Sequence, residues 1–291
     1  MADRKRYFIS SDIHGYLDEW LEALAEAGFD RENPNHILVV CGDLFDRGAQ
    51  PLEAYRFVKS LPRDRRVLIR GNHEQLLGEL ARRGWPQEHD IHNHTLDTLY
   101  QLHGLPGETE HSKGFYRDTL GKGMEYGSPE FEKAREAFDR ERSSVYGGIT
   151  LEVVDWIESD EWVNYWETPG HIFVHSWIPV TTYLRKDKWG SILKMGTSYR
   201  DDWRDASQAE WDSAMWGCPW KNARDGLNRT GKAIVCGHWH TSDFFNNLTG
   251  EKREIYDCPV FRSEKYALIG LDACTAGSGR VNCMAMEEDE L

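Results

Sequence analysis

Acidic, amide and imidazole side chains stand at the ends of apolar runs in this sequence, where a strand would leave the core. Five runs end in this way: RYFIS precedes Asp12 and His14, HILVV precedes Asp43, Asp46 and Arg47, RVLIR precedes Asn72, His73 and Glu74, HIFVH ends in His175, and KAIVC precedes His238 and His240. Charges beside an apolar core are costly unless a partner compensates them. The recurrence therefore indicates one shared site.

The residue types of this set suit divalent cations held by oxygen and nitrogen atoms. Imidazole favours Zn, Fe and Ni, whereas carboxylate and amide oxygens favour Mg and Mn, so the mixture fits Mn, Fe or Zn. A carboxylate such as Asp43 can bridge two ions about 3.5–4 Å apart, which clamp the oxygens of an in-line displacement. The set predicts a site for two divalent metal ions, with Mn²⁺ favoured in vitro.

Each motif also has a plainer structural interpretation when it is taken alone. GNHE could be a turn with Asn72 as the N-cap of a helix, and GDLFDRG could be a turn with a surface ion pair. The spacing of Asp12 and His14 would place both side chains on one side of an extended segment. Because five such motifs occur in order at five strand ends, we favour the functional interpretation.

The first eighty residues alternate between short apolar runs and amphipathic stretches. Strands are predicted at RYFIS, HILVV and RVLIR, and each is followed by a predicted helix, near 17–24, 51–61 and 76–81. This alternation predicts βαβ units and a largely parallel sheet. Ligands bind at the carboxyl ends of the strands in such sheets, where the first three motifs would converge.

The later sequence predicts a helical insertion and a second sheet. Residues 82–150 have weak apolar periodicity, which indicates a helical insertion or cap, and Ser128 would open one polar helix. A further helix is predicted at 149–160, strands at HIFVH and KAIVCGH, a loop-dominated segment at 177–225 with a short helix near 207–216, and two or three antiparallel strands at the end. We expect an α/β fold, a four-layer α-β-β-α sandwich of two mixed sheets, in one domain spanning 1–291.

The composition indicates an acidic globular protein. Net charge is −14, and the sequence pI is about 5.3, so a nucleic-acid duplex is not an expected partner because phosphate backbones need basic patches. No apolar run approaches the roughly 20 residues that span a bilayer, so no membrane partner is expected. The six cysteines form no C-x-x-C pair and no leader segment is visible, which favours a cytoplasmic location. The sequence indicates no oligomeric state.

SDIHG, GDLFDRG, GNHE, His175 and GHWH together resemble the calcineurin-like metallophosphoesterases. GDLFDRG with GNHE is similar to the phosphoprotein phosphatase branch, which includes bacterial and phage Ser/Thr phosphatases and symmetrical diadenosine tetraphosphate hydrolases. The resemblance covers residues 6–80 and returns at 171–180, 232–242 and 266–286. It implies a metal-dependent phosphoester hydrolase whose substrate is a phosphoprotein or a small phosphoester or nucleotide.

The resemblance also implies a role for each matching residue. The metal ligands would be Asp12, His14 and His240 for one ion, Asn72, His175 and His238 for the other, and Asp43 for both. A water between the ions would be the nucleophile. The catalytic residues would be His73, which protonates the leaving oxygen, Asp46, which orients His73, and Arg47, which grips the phosphate. Glu74 would anchor the loop.

Two positions depart from the family pattern. Trp177 stands where a glycine is usual after the strand-terminal histidine, which should reshape the substrate cleft. Cys218 stands where a second phosphate-binding arginine is usual, and the candidates to replace it are Arg200, Arg204 and Arg224. Trp177 and Trp239 flank metal-site histidines and could stack on a base, although core packing is the favoured interpretation of both.

Three functions remain open from the sequence. The favoured one is a phosphomonoesterase similar to protein Ser/Thr phosphatases. The second is a dinucleoside polyphosphate hydrolase, for which the insertion offers basic residues such as Arg82 and Arg117 but no deciding pattern. The third is a catalytically idle metal-binding interaction module, which is disfavoured because metal binding alone would not require His73, Asp46 and Arg47.

Overall fold

Short strands and helices alternate in the first part of the chain, as the computed structural model shows for residues 4–186, 188 and 192–291. The strands are β1 (Arg6–Ser10), β2 (His36–Cys41), β3 (Arg66–Ile69), β4 (Trp162–Val163), β5 (Trp166–Glu167), β6 (His171–Phe173), β7 (Thr181–Lys186), β8 (Ile192–Ser198), β9 (Ala233–Cys236), β10 (Phe261–Ser263), β11 (Leu268–Gly270) and β12 (Cys283–Glu287). The α-helices are α1 (Leu17–Glu26), α2 (Pro51–Ser60), α3 (Asn72–Arg83), α4 (Glu88–His92), α5 (Thr95–Leu102), α6 (Glu108–Asp118), α7 (Pro129–Ser144), α8 (Ile149–Ile157), α9 (Gln208–Ala214), α10 (Pro219–Arg224), α11 (Thr241–Phe244) and α12 (Thr275–Ser278).

Two mixed sheets contain most of these strands. The first has the order β12-β1-β2-β3-β4, in which β1 to β4 run parallel and β12 is antiparallel to β1. The second has the order β10-β11-β9-β6-β5, in which β11, β9 and β6 run parallel and the two edge strands are antiparallel. The α/β prediction of two mixed sheets is confirmed.

The two sheets pack face to face, with helices on both outer surfaces. Alternate residues of β2 divide between two cores, since Val39 faces the second sheet whereas Leu38 and Val40 face the helices. Phe173 and Val235 of the second sheet complete the central core. Parallel strands need both faces covered, which explains their nearly continuous apolar runs. The four-layer α-β-β-α prediction is confirmed.

Helices α4 to α7 form the helical segment, residues 84–148, between α3 and α8. Helix α5 packs against α2 and α3 through Leu96 and Leu99, which belong to the core between the first sheet and its helices. Ser128 caps α7, because its hydroxyl accepts the backbone N–H of Phe131 at 3.1 Å. The predicted helical insertion is therefore helical, and it shares the core of the first sheet.

Two predictions about the later chain are wrong in part. The segment 177–225 contains α9 near the expected helix, but it also contains the antiparallel β7–β8 hairpin instead of loops alone. Leu184 and Met195 in this hairpin are exposed, so these two apolar residues do not mark a buried strand face in the sequence. At the end of the chain, β11 runs parallel to β9, and β12 joins the other sheet. Strand partners of this kind depend on tertiary packing.

Candidate active site

The loops after β1, β2, β3, β6 and β9 meet at one edge of the two sheets. Six of the ten residues that the sequence assigned to the site adopt left-handed backbone conformations: Asp12, His14, Asp43, Asp46, Arg47 and His238, with φ between 53° and 74°. Such conformations are uncommon outside glycine and concentrate at functional sites. The expectation of an extended Asp12–His14 segment is wrong, since both residues have left-handed backbone conformations in the loop after β1, which turns at His14.

Glycines let the loops after β2 and β3 approach one another. Gly42 has φ +84°, and a Cβ atom there would lie 2.5 Å from Nδ1 of His175 and 2.7 Å from Cα of Gly71. A Cβ atom on Gly71 would collide with the carboxylate of Asp43. Only glycine permits this approach, and it brings Asp43 beside the residues that follow β3.

Asp43 belongs to two separate groups of potential metal ligands. One group contains His14, Asp43 and His73, and the other contains Asp43, His175 and His238, with the ligand atoms of each group within 4.8 Å of one another. Oδ2 of Asp43 lies 3.8 Å from Nε2 of His14 and 3.9 Å from Nε2 of His73, whereas Oδ1 lies 3.4 Å from Nε2 of His175. The two carboxylate oxygens therefore serve different groups.

The histidines are oriented by backbone carbonyls that lie behind them. Nδ1 of His175 lies 2.9 Å from the carbonyl oxygen of Cys41, and Nδ1 of His14 lies 3.0 Å from that of Phe45. A neutral imidazole that donates its Nδ1–H to a carbonyl presents a lone pair at Nε2. Metal-binding histidines are held in this way.

Lone pairs converge on the second group. Nε2 of His175 lies 2.8 Å from Oδ1 of Asn72 and 3.2 Å from Nδ1 of His238. Asn72 is the first residue of α3, so the N-cap is Gly71 and not Asn72. With Nδ1–H of His175 directed at Cys41, these acceptor atoms face a common point, and a cation at that point satisfies all of them. The donor set thus fits a divalent ion.

Apart from Asn72, which contacts His175, two predicted ligands lie outside both groups. The carboxylate of Asp12 accepts the backbone N–H of His238 at 3.0 Å and 3.1 Å, together with the Ser11 hydroxyl. This arrangement ties the loop after β1 to the loop after β9. His240 lies just before α11, and its predicted place in the coordination of the first metal stays a prediction.

Burial makes charged forms unfavourable throughout the site. It raises the pKa of Asp43 and of Asp12 well above the ordinary range, with neighbouring carboxylates adding to the effect. It lowers the pKa of His14 and of His73 well below the ordinary range, with Arg47 adding to the effect. It also lowers the pKa of His238 to about 2. Divalent cations would reverse the cost of ionising the carboxylates.

His73 and Asp46 form a buried pair beside the first group. Nδ1 of His73 lies 2.6 Å from Oδ2 of Asp46. The guanidinium of the exposed Arg47 reaches Nε2 of His14 at 2.8 Å and Nε2 of His73 at 3.2 Å. Because Asp43 and Asp46 are buried, the plainer interpretation of GDLFDRG as a turn with a surface ion pair is wrong.

Glu74 anchors two loops with one carboxylate. Its oxygens accept the backbone N–H groups of Gly71 at 2.8 Å, Asp43 at 2.9 Å and Leu44 at 2.8 Å. The side chain is 1% exposed, so the loops after β2 and β3 depend on a buried charge satisfied by three donors. The structural role expected for Glu74 is confirmed.

Sequence reasoning missed the residues that hold Asp46. The hydroxyl of Thr95 donates to Oδ2 of Asp46 at 2.7 Å, and that of Thr98 donates to Oδ1 at 2.8 Å. Both threonines come from α5, about fifty residues after Asp46, and no motif marks them. The available signal was two threonines three residues apart, in a stretch predicted only as a helical insertion or cap.

Tryptophans lie around the second group. Trp177 is 2% exposed and belongs to the core of the second sheet, so the core-packing interpretation is confirmed there. For Trp239 that interpretation is wrong, since the side chain is 36% exposed and its ring meets that of Trp220 at 6.2 Å. The ring of Trp216, 49% exposed, stands edge-on to His238 at 6.0 Å.

The three arginines considered for a second phosphate contact are engaged elsewhere. Arg200 pairs with Asp202 and Glu210, and Arg204 pairs with Glu167. Arg224 lies over the ring of Trp220 at 5.2 Å and 3.6 Å from Asp225. Arg47 is therefore the arginine that the geometry brings to the two histidines of the first group.

The family profile of the calcineurin-like phosphoesterases matches residues 5–242. The chain belongs to this family. A symmetrical bis(5'-nucleosyl)-tetraphosphatase of Vibrio vulnificus is 42% identical over 67 residues, and one of Aliivibrio salmonicida is 47% identical over 68 residues. These matches cover 23% of this chain and 24% and 23% of the relatives, so the phosphoesterase spans about a quarter of the length of the curated relatives it matches.

Solved structures of phosphoesterases are similar to the chain over its length at low sequence identity. A putative diadenosine tetraphosphatase has a TM-score of 0.47 and 13% identity, covering 98% of this chain and 90% of that one. The cold-active protein-tyrosine phosphatase of a psychrophilic Shewanella species has a TM-score of 0.47 and 14% identity, covering 98% and 76%. Among the described residues, this phosphoesterase has no helix that is long and apolar enough to cross a membrane.

Proposed function

We propose that this calcineurin-like phosphoesterase is a two-metal phosphomonoesterase that acts on a phosphoprotein or a small phosphorylated substrate. The observation that carries the proposal is the position of Asp43, whose two carboxylate oxygens each face a different group of histidines. A bridging carboxylate of this kind is what a dinuclear hydrolase requires.

The proposed ligands divide between two ions. Asp12 and His14 would hold the first, Asn72, His175 and His238 would hold the second, and Asp43 would bridge them. His240 remains a candidate for the first ion. The ions would supply an acidified water as the nucleophile. We propose Mn²⁺ for assays in vitro, because the donors mix imidazole with carboxylate and amide oxygens.

His73 would act as the general acid, since a group at this position must protonate the leaving oxygen. Asp46 accepts the Nδ1–H of His73, and in the acid form the proton for the leaving oxygen would be carried on Nε2, which lies near Arg47 and Asp43. Arg47 would exchange its contacts with the two imidazoles for two contacts with phosphate oxygens, which match its fork of donors. In a metal-binding module without catalytic activity, His73, Asp46 and Arg47 would have no role.

The test is hydrolysis of 4-nitrophenyl phosphate by the Mn²⁺-loaded protein, with His73→Asn as the diagnostic variant. We expect the variant to retain both ions and to lose at least about 100-fold in kcat, the usual effect of removing a general acid. His92→Asn, at an exposed position of α4, is the matched control. Full turnover by the His73 variant would remove His73 from the acid role, and absence of turnover by the wild type would contradict the proposed function.

A second candidate function is hydrolysis of dinucleoside polyphosphates. It is favoured by two exposed rings, that of Trp216, which stands edge-on to His238, and that of Trp239, the next residue in the chain, because flat bases stack on such surfaces. The relatives from Vibrio vulnificus and Aliivibrio salmonicida are named as symmetrical bis(5'-nucleosyl)-tetraphosphatases, which act on substrates of this class. Comparison of kcat/KM for phosphopeptides, mononucleotides and diadenosine tetraphosphate separates the candidates. A Trp216→Ala variant that loses efficiency only on nucleotides would favour the second.

We further propose that the protein works in the reducing cytoplasm. All six cysteines are free, and four of them are buried. Buried thiols of this kind behave as small apolar side chains and persist where disulfides are disfavoured. Fractionation of cells with an antibody against the protein would test the location, and recovery in an oxidising compartment would contradict it.

A further inference from the structure

The buried carboxylate of Asp46 is surrounded by hydrogen-bond donors, of which only His73 has a role in the proposed chemistry. Its side chain is 0% exposed. Oδ1 accepts the hydroxyl of Thr98 at 2.8 Å, and Oδ2 accepts both the hydroxyl of Thr95 at 2.7 Å and Nδ1–H of His73 at 2.6 Å. The backbone N–H of Asp46 in turn donates to the oxygen of Thr98 at 3.1 Å. Both carboxylate oxygens are thus satisfied by the protein.

The two threonines lie on one face at the start of α5. Residues three apart on a helix are neighbours on its surface, so Thr95 and Thr98 point in the same direction. Leu96 and Leu99, on an adjacent face, pack into the core of the first sheet. The helix is therefore held against the fold by buried contacts, and its hydroxyls meet Asp46 from a rigid support.

This arrangement removes rotational freedom from the carboxylate. An ionised carboxylate can only accept hydrogen bonds, so each hydroxyl donor favours the charged form and selects one orientation of its plane. Asp46 then presents a single oxygen to His73. The neutral imidazole then carries its proton on Nδ1, and Nε2, which would carry the second proton of the acid form, lies 3.2 Å from Arg47 and 3.9 Å from Oδ2 of Asp43.

We propose that Thr95 and Thr98 are positioning residues for the phosphoester reaction, and that the helical segment contributes to catalysis by supplying them. They hold Asp46 so that His73 faces the leaving oxygen of the substrate. The inference rests on the proposed acid role of His73. It differs from a purely structural role, because it predicts that the loss of each hydroxyl acts on leaving-group protonation.

The experiment compares Thr95→Val, Thr98→Val and the double variant with Thr95→Ser and Thr98→Ser, which keep the hydroxyl. Thr150→Val is the matched control, because Thr150 is also 0% exposed and donates to the carbonyl of Val145 at 2.6 Å, outside the site. Each protein is assayed with Mn²⁺ on 4-nitrophenyl phosphate, which has a good leaving group, and on phenyl phosphate, which has a poor one.

We expect the valine variants to lose about 10–100-fold in kcat on phenyl phosphate, as outer hydrogen-bond partners usually do, and several-fold less on 4-nitrophenyl phosphate. KM and metal content should stay near wild type, the serine variants should recover most of the loss, and Thr150→Val should match wild type. Equal losses on both substrates, or a loss no greater than that of Thr150→Val, would overturn the proposal.

A second measurement does not depend on activity. In ¹⁵N NMR of labelled histidine, His73 should show the Nδ1–H tautomer in the wild type and a mixture of tautomers in the folded double variant. An unchanged tautomer in that variant would overturn the positioning role even if no substrate were turned over. Failure of the wild type to hydrolyse either phosphate, with the tautomer shift observed, would instead contradict the proposed function.

Discussion

Oδ1 of Asp43 lies 3.4 Å from Nε2 of His175, although the two residues are 132 positions apart and follow strands of different sheets. Asp43 follows β2 of the first sheet, whereas His175 follows β6 of the second. The contact therefore joins the two halves of the fold at the point where we propose the bridging ligand.

Asp43→Asn should abolish binding of both metal ions, whereas His238→Ala should abolish binding of one. The reason is that Asp43 belongs to both ligand groups and His238 to one. Metal content after loading with Mn²⁺ and desalting, measured by mass spectrometry, gives the count. His92→Ala, at an exposed position of α4, should bind as the wild type does. One remaining ion in Asp43→Asn would disprove the bridging assignment.

Arg47→Lys should raise KM for aryl phosphates by about 10–100-fold, equivalent to losing one hydrogen bond to a charged group. Lysine keeps the charge but lacks the fork that can contact two phosphate oxygens. The side chain is exposed, so the fold should not change. Inhibition by inorganic phosphate should weaken in parallel. Arg56→Lys, exposed on α2, is the control, and an equal change in both variants would remove Arg47 from phosphate binding.

Glu74→Gln should lower the free energy of unfolding by about 3 kcal/mol, because the amide group replaces an acceptor with a donor facing buried N–H groups. Three backbone donors depend on this carboxylate. Urea denaturation of the metal-free protein measures the effect. Glu79→Gln, one turn and a residue further along α3 and partly exposed, should change the value by less than about 0.5 kcal/mol. Similar values for both variants would show that the anchor is dispensable.

The stability difference between the metal-free wild type and Asp46→Asn should fall as pH rises from about 4 to about 7. Burial raises the pKa of Asp46 to about 7, while the unfolded carboxyl titrates near its ordinary pKa of about 3.9. Over this window the folded state binds the extra proton, so stability decreases with rising pH, by on the order of 3 kcal/mol. The difference should be flat above pH 8. Denaturation at several pH values measures it, and a difference that rises with pH would contradict the assignment.

The ends of the strands could be predicted from the sequence because the information that marks them is local. An apolar run followed by glycine and a carboxylate or imidazole identifies both the end of a strand and a potential ligand, as at Asp43 and His238. The layers of the fold follow from the same runs, because strands that are apolar on both faces must be covered on both sides. These features require no knowledge of which distant residues meet.

Contacts between distant segments could not be obtained in this way. Thr95 and Thr98 reach Asp46 only because α5 packs on α2 and α3, and nothing near the threonines in sequence indicates that docking. In the β7–β8 hairpin the apolar residues Leu184 and Met195 are exposed, so they do not indicate a buried strand in the sequence. The predicted backbone conformation of Asp12 was also wrong. The turn is set by contacts with the loop after β2 rather than by the D-x-H spacing.

The left-handed conformations at the site restrict how its chemistry can change. Asparagine, aspartate and histidine tolerate positive φ better than other residues that bear side chains, and β-branched residues tolerate it poorly. Two of these types, aspartate and histidine, occupy four positions that we propose as metal ligands, Asp12, His14, Asp43 and His238. Substitution with threonine at these positions would therefore face backbone strain before any question of coordination arises. The backbone thus restricts these four positions to the few residue types that tolerate positive φ. Substitutions meant to alter metal preference should be chosen from aspartate, asparagine and histidine.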